Sequence, residues 1–241
     1  MNPFVEAYQQ SDLLGKLIFL ALYALSACSW IVLLYKLWVT HQVKRHASRF
    51  QEAFFLHKQS PLQLELESLE KRSGRNPFVD LYKTLKKHAL ELLAKNNHFQ
   101  QLKTHSEGRS FLSLSDIDFL SAHLSSKVAS SVKDLEKHLY LLATTVSLAP
   151  FLGLLGTVWG ILTTFSAMQS GGGAALVSQQ AILGGISLAL ATTVLGLVNA
   201  IPALIGYNYL KNAIRDFTTD MEGFSNHILA AVELQYRKVD T

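Results

Sequence analysis

Ala149-Pro150-Phe151-Leu152-Gly153-Leu154-Leu155-Gly156-Thr157-Val158-Trp159-Gly160 is the stretch that decides how this chain folds. It lies inside a run from Leu139 to Leu210 that contains no Asp, Glu, Lys or Arg. A second patterned segment closes that run, from Gly184-Gly185 through Thr192-Thr193-Val194-Leu195-Gly196 and Asn199-Ala200-Ile201-Pro202 to Asn208. A helix needs roughly 20 apolar residues to cross a bilayer, and each half of the run supplies that length. Two spans are therefore predicted, at 139–168 and 181–210. The connection between them, 169–180, carries Gly171-Gly172-Gly173 and no charge.

Working outward, a first span is predicted at 17–39, with Tyr23, Trp30, Tyr35 and Trp38 along it. Tyr35 and Trp38 suit an interfacial anchor, with Lys36 snorkelling beside them. A cleaved signal peptide is rejected, because this segment has no basic start and stays apolar well past any small-residue site. Leu25-Ser26-Ala27-Cys28 resembles a lipoprotein processing site. The residues after it remain apolar, so Cys28 is read as a buried small residue.

Composition agrees with a membrane protein. Of 241 residues, 49% are hydrophobic and 17% charged, below the roughly 25% charged of soluble chains. The net charge of +4 is not spread as in a nucleic-acid binder. Lys44, Arg45, Arg49 and Lys58 follow the first span, and Lys211 and Arg215 follow the third. Positive charge stays on the cytoplasmic side, so the N-terminus is expected outside and the C-terminus inside. Residues 1–16 are then a periplasmic lead-in, 40–138 a cytoplasmic helical domain, and 211–241 a cytoplasmic C-terminal helix. The fold class is an all-α integral membrane protein with three spans, the second and third extended into the cytoplasm.

Within 40–138, Ser60-Pro61-Leu62-Gln63 is a capping box with proline at the first helical position, and Gly74 ends that helix. Asn76-Pro77 opens the next, with Phe78, Leu81, Leu85 and Leu92 on one face until Asn96-Asn97 weaken the pattern. A loop is expected at 97–109. From Ser113 or Ser115 another helix places Ile117, Leu120, Leu124, Val128, Leu135 and Leu139 together. It meets no breaker before the second span, so one continuous helix is expected. After Leu210, the spacing of Ile214, Phe217, Met221, Phe224, Ile228 and Val232 continues the third span as an amphipathic helix.

The uncharged spans offer two kinds of chemistry. Gly153, Gly156, Gly160, Gly185 and Gly196 allow backbones to approach closely, while Pro150 and Pro202 mark helix kinks. Thr145, Thr157, Thr164, Thr192, Thr193 and Asn199 bring hydroxyls and an amide into a region without ionisable groups. Such threonines either bond back to their own helix carbonyls or line a water-containing path between subunits. Catalysis has no support: the nine histidines lie scattered through the polar segments, without metal-ligand spacing or a partnered nucleophile, and no cofactor is implied. Asp116 and Asp118 read as first-turn charges favoured by a helix dipole. Lys127, Lys133 and Lys137 read as a solvated face.

The segment Pro150 to Gly160 resembles the second-span signature of the TolQ/ExbB family, relatives of the flagellar stator protein MotA. Thr193 to Ala203, with Tyr207-Asn208, resembles its third-span signature. The resemblance implies an inner-membrane proton-channel subunit that assembles as a homo-oligomer, usually a pentamer, around the membrane helices of a TolR- or ExbD-like partner. That partner's aspartate carries the proton, and a TolA- or TonB-like protein receives the work. Thr157 and Thr193 fall on the family's pore threonines. Leu188 stands where many members carry glutamate, so either the partner's aspartate suffices, as in the MotA-like branch, or the ion path differs in detail, and proton against sodium ion stays open. The Ser29-Trp30 end of the first span and the short N-terminal segment favour the TolQ branch, serving envelope integrity with Tol-Pal. An ExbB-type subunit energising TonB-dependent uptake is the alternative, and a passive membrane scaffold is the reading from another class. Secondary transport is set aside, because three spans without an inverted repeat supply no midplane substrate site.

Overall fold

A computed structural model of the chain describes residues 3–56, 62, 76–104, 111–170 and 175–237. Six helices cover nearly all of them: α1 (Pro3–Gln10), α2 (Leu13–Leu56), α3 (Pro77–Thr104), α4 (Leu114–Glu136), α5 (Leu139–Ser170) and α6 (Ala175–Tyr236). Three of these contain stretches long and apolar enough to cross a membrane: Leu13–Ala47, Leu139–Gln169 and Ile182–Tyr236. This is an all-α, multi-span membrane protein. The helix expected after Ser60 and the triple glycine of the 169–180 loop lie outside the described residues.

The chain divides into two compact units. The first joins Met1–Leu37 to His138–Lys211 and contains the apolar stretches. Its interior is thin, because the side chains that elsewhere form a core point outward: Phe151, Leu154, Val158, Phe165, Leu190, Val198 and Ile205 are all exposed in the single chain. A surface of this kind is stable only against lipid or other protein. Two small clusters hold α1 and α2 to the spans: Ala7, Phe19, Leu188 and Ala191 in one, and Ile18, Leu22, Ala149 and Ala200 in the other. Pro150 and Pro202 both sit inside helices that run on through them.

The second unit, Trp38–Lys137 with Asn212–Thr241, packs like a soluble helical bundle. Tyr82, Phe54, Phe78, Phe224, Leu81, Leu85, Leu120 and Leu124 are fully buried, and Phe54 meets Tyr82 and Phe224 edge-on at 5.9 and 5.4 Å. Phe217, Met221, Phe224, Ile228 and Val232 are buried together, and Ile214 is buried as well, as their spacing required. Asn76 caps α3, its side-chain oxygen accepting from Phe78 N at 3.1 Å while its amide donates to His46 O at 3.1 Å. At α4 the cap is reciprocal: Ser113 and Asp116 each bond the other's backbone N–H. Leu112 N donates to Tyr236 O at 2.8 Å, pinning the entry to α4 against the end of α6.

Four expectations are corrected. α3 does not stop at Asn96-Asn97 but runs to Thr104. Asn96, an indifferent helix former, is retained because its amide donates to Phe111 O at 3.0 Å and to Asp116 Oδ2 at 2.9 Å. The continuous helix expected from Ser113 into the second span is divided at Lys137–His138, where His138 takes φ 68°. That left-handed conformation ends α4, and α5 begins at the next residue. Lys36 is buried, at 5% exposure, rather than reaching out beside the exposed Tyr35 and Trp38. Cys28 is exposed while its neighbour Ser29 is buried, one step of about 100° around the helix.

Candidate functional site

Helices α5 and α6 run antiparallel along a seam of small residues. Gly196 lies against Ala149, Gly153 against Thr192 and Thr193, and Gly160 against Gly185 and Ala189. Contact at Gly160 and Gly185 is backbone on backbone: a Cβ on Gly160 would stand 2.5 Å from Gly185 O, and one on Gly185 would stand 2.7 Å from Gly160 O. Packing this close needs residues without side-chain bulk, which is why the glycines recur at helical spacing on both helices.

The close approach brings threonine hydroxyls to one carbonyl. Gly153 O lies 3.2 Å from Thr157 Oγ1, 3.3 Å from Thr193 Oγ1 and 3.5 Å from Thr192 Oγ1. Thr157 and Thr193 are themselves 3.4 Å apart, oxygen to oxygen, across the seam. Thr192 has no exposure at all, whereas Thr157 and Thr193 are only partly buried. A hydroxyl has one donor and two acceptor sites. Each of these threonines spends its donor on a carbonyl, Thr157 on Leu154 O at 2.8 Å and Thr193 on Ala189 O at 3.1 Å. The oxygen lone pairs that remain can accept from water or from a protonated acid at the open side of the pair.

The other threonines are enclosed. Thr145 is 2% exposed and donates to Leu141 O at 3.0 Å. Thr164 is 8% exposed, donates to Gly160 O at 2.7 Å and packs on Gly185. Asn199 reaches a different helix, its amide donating to Leu22 O of α2 at 3.0 Å. Leu188 is buried with Ala7, Phe19 and Ala191. Among the described residues, no three His, Cys, Asp or Glu side chains gather as metal ligands.

Sequence reasoning missed one participant. Asp12, between α1 and α2, accepts from the indole Nε1 of Trp159 at 2.8 Å, although 147 residues separate them. Its other oxygen accepts from Gly15 N at 2.9 Å, capping α2. The capping pattern of an Asp ahead of a helix was readable; its second bond, to the tryptophan of Gly156-Thr157-Val158-Trp159-Gly160, was not.

The sequence is similar to those of known proteins. The chain is 47% identical over 90 residues to the biopolymer transport protein ExbB of Aquifex aeolicus, covering 37% of this chain and 59% of that protein. It is 28% identical over 211 residues to ExbB of Xanthomonas campestris pv. campestris, covering 88% of this chain and 78% of the relative. The Tol-Pal system protein TolQ of Haemophilus influenzae is 36% identical over 104 residues, covering 43% of this chain and 44% of the relative. Residues 91–223, more than half of the chain, match the MotA/TolQ/ExbB proton channel family. That match includes the hydroxyl-bearing seam of α5 and α6, and with it the chain belongs to this family of non-catalytic proton channels.

Proposed function

We propose that this chain is the channel-forming subunit of an ExbB-type motor complex in the bacterial inner membrane. Several copies, a pentamer in this reading, surround the membrane helix of an ExbD-like partner and transmit force to a TonB-like protein. The Thr157–Thr193 pair carries the proposal: two half-buried hydroxyls 3.4 Å apart, in the uncharged run from Leu139 to Leu210 that holds no acid of its own. A carboxylate on the partner would supply the titrating group. Protonated, it donates to the pair; ionised, it loses that donor and is disfavoured against an apolar wall by desolvation, so each protonation state favours a different placement. One charge crossing 100 mV releases about 2.3 kcal/mol, enough to bias a rotation of packed helices.

Thr145, Thr164 and Asn199 take the supporting role in this reading, since each is committed to a carbonyl within the chain. The exposed apolar residues of α5 and α6 supply contacts to neighbouring copies and lipid. The basic residues after the first and third spans set the N-terminus in the periplasm and the C-terminus in the cytoplasm.

The sequence features had favoured the TolQ branch, and the relatives do not support that preference. ExbB proteins give both the 47% match and the match that spans 88% of the chain. A TolQ-type role with TolR and TolA remains a second reading because of the Haemophilus influenzae relative. Neighbouring genes for TonB-type or Pal-type proteins separate the two.

The test replaces Thr157→Val and Thr193→Val, which keep volume and remove the hydroxyls. Proton-dependent uptake should fall at least tenfold while the oligomer still assembles with its partner. Normal uptake in both variants, with envelope integrity also normal, would leave only the passive scaffold.

A further inference from the structure

We propose that Asp12 is a positioning residue for the Thr157–Thr193 pair, acting through Trp159. The proposal rests on the reading that this pair lines the ion path. Asp12 is held in place: one carboxylate oxygen accepts from Gly15 N at 2.9 Å, at the first turn of α2. The other accepts from Trp159 Nε1 at 2.8 Å. The indole is also packed against the cluster of Ala7, Phe19, Leu188 and Ala191, with Phe4 and Leu195 beside it. Trp159 is thus gripped by both a charged acceptor and an apolar wall.

Helix geometry makes this grip matter to Thr157. Residues two apart on a helix point about 200° away from one another. Holding Trp159 between the start of α2 and the Leu188, Ala191 and Leu195 edge of α6 therefore fixes the direction of Thr157 as well, which meets Thr193 at 3.4 Å. Along the seam itself, the Thr192 side chain sits in the notch of Gly156 and the Thr164 side chain in that of Gly185, but neither holds Thr157 directly. The Asp12–Trp159 bond fixes it from outside. Leu188 Cδ2 and Asp12 Oδ1 stand 3.0 and 3.1 Å from the point where a Gly15 Cβ would lie, so Gly15 keeps that contact compact.

The test uses the full chain in membranes, with Cys28→Ser removing its single cysteine and Thr157→Cys with Thr193→Cys as reporters. In this background the oxidative cross-linking rate between positions 157 and 193 measures their alignment. Asp12→Asn keeps the helix cap, since asparagine caps as well as aspartate. It presents an amide donor to the indole N–H, so the latch is lost. Trp159→Phe keeps an aromatic ring and removes the donor. Each should slow cross-linking about tenfold, the scale of one hydrogen bond to a charged group. Combining them should slow it no further, because both break the same bond. Unchanged rates in either single variant, or effects that multiply in the double variant, overturn the proposal. Proton-dependent uptake is read separately in Asp12→Asn with the native threonines. Slowed cross-linking with normal uptake leaves the latch standing and removes the pair from the ion path.

Discussion

Three glycines on α6 make opposite predictions for the same substitution. In Gly196→Ala, the new Cβ would stand 2.6 Å from Ala149 O, where ordinary contact begins at 3.4 Å. The obstacle is backbone, so α5 and α6 must part by about 0.8 Å, and overpacking of this kind costs about 1–3 kcal/mol. Alanine returns about 0.5–1 kcal/mol through its better helix propensity, leaving a net loss. In Gly206→Ala, the Cβ meets Leu33 Cδ1, the end of a side chain that can change rotamer. That adjustment costs about 0.5–1.5 kcal/mol and nearly cancels the propensity gain. Gly223 has nothing within 4 Å of the added carbon, so Gly223→Ala gains about 0.5–1 kcal/mol unopposed. The assay is the apparent melting midpoint of the full chain in detergent, followed by loss of folded oligomer on size-exclusion chromatography. Gly223→Ala should melt highest, Gly206→Ala near wild type and Gly196→Ala lowest. A Gly196→Ala protein that melts at or above wild type would refute the backbone-contact reasoning, whatever its ion transport.

Two further predictions separate holding from conducting. Asn199→Leu removes the amide that donates to Leu22 O, and membrane hydrogen bonds of this kind contribute about 0.6–2 kcal/mol. Apparent stability should drop by that amount with proton-dependent activity retained, and lost activity in an intact assembly would put Asn199 on the ion path. At the entry to α4, burial pushes the Asp116 carboxyl up, but bonds from Ser113 and Asn96 and the nearby Lys95 charge outweigh it and hold the group below its ordinary 3.8. A depressed folded value means the stabilisation is complete above pH 3.8 and is lost as pH falls below it towards the folded value. Hydrogen-exchange protection at the Ser113 and Asp116 amides, corrected for intrinsic rate, should weaken across that window in wild type. Asp116→Ala should lower protection at neutral pH by about 1 kcal/mol and abolish the acid step.

Much of this architecture could be read because membranes impose coarse rules. An uncharged run as long as Leu139 to Leu210 leaves few options, and the faces of α4 and the end of α6 follow from spacing alone. What could not be read depends on contacts between distant residues or on single dihedrals. Asn96-Asn97 looks like a helix end until Phe111 O and Asp116 come within reach of the Asn96 amide. Nothing in Lys137-His138 announces a break, since neither glycine nor proline is present; histidine is among the few residues that tolerate positive φ, yet it seldom adopts it. Cys28 faces outward and Ser29 inward, a difference of one residue of helix rotation that hydropathy cannot resolve.

Threonine shows most sharply where sequence stops and geometry begins. On composition, Thr145, Thr157, Thr164, Thr192 and Thr193 are equivalent: hydroxyls in apolar helices, each able to bond its own backbone, and each does so. Back-bonding was therefore never the alternative to a functional role, because it satisfies the donor and leaves the acceptors untouched. What distinguishes the five is access. Thr145, Thr164 and Thr192 are closed off by neighbours, while Thr157 and Thr193 keep part of their surface open and lie oxygen to oxygen across the seam. An isolated hydroxyl in a membrane helix can solvate nothing larger than a water. Two at 3.4 Å on facing helices form a surface whose spacing depends on how the helices are turned. Rotation of α5 against α6 is therefore what sets the geometry of the pair, and the tight glycine contacts of the seam restrict it.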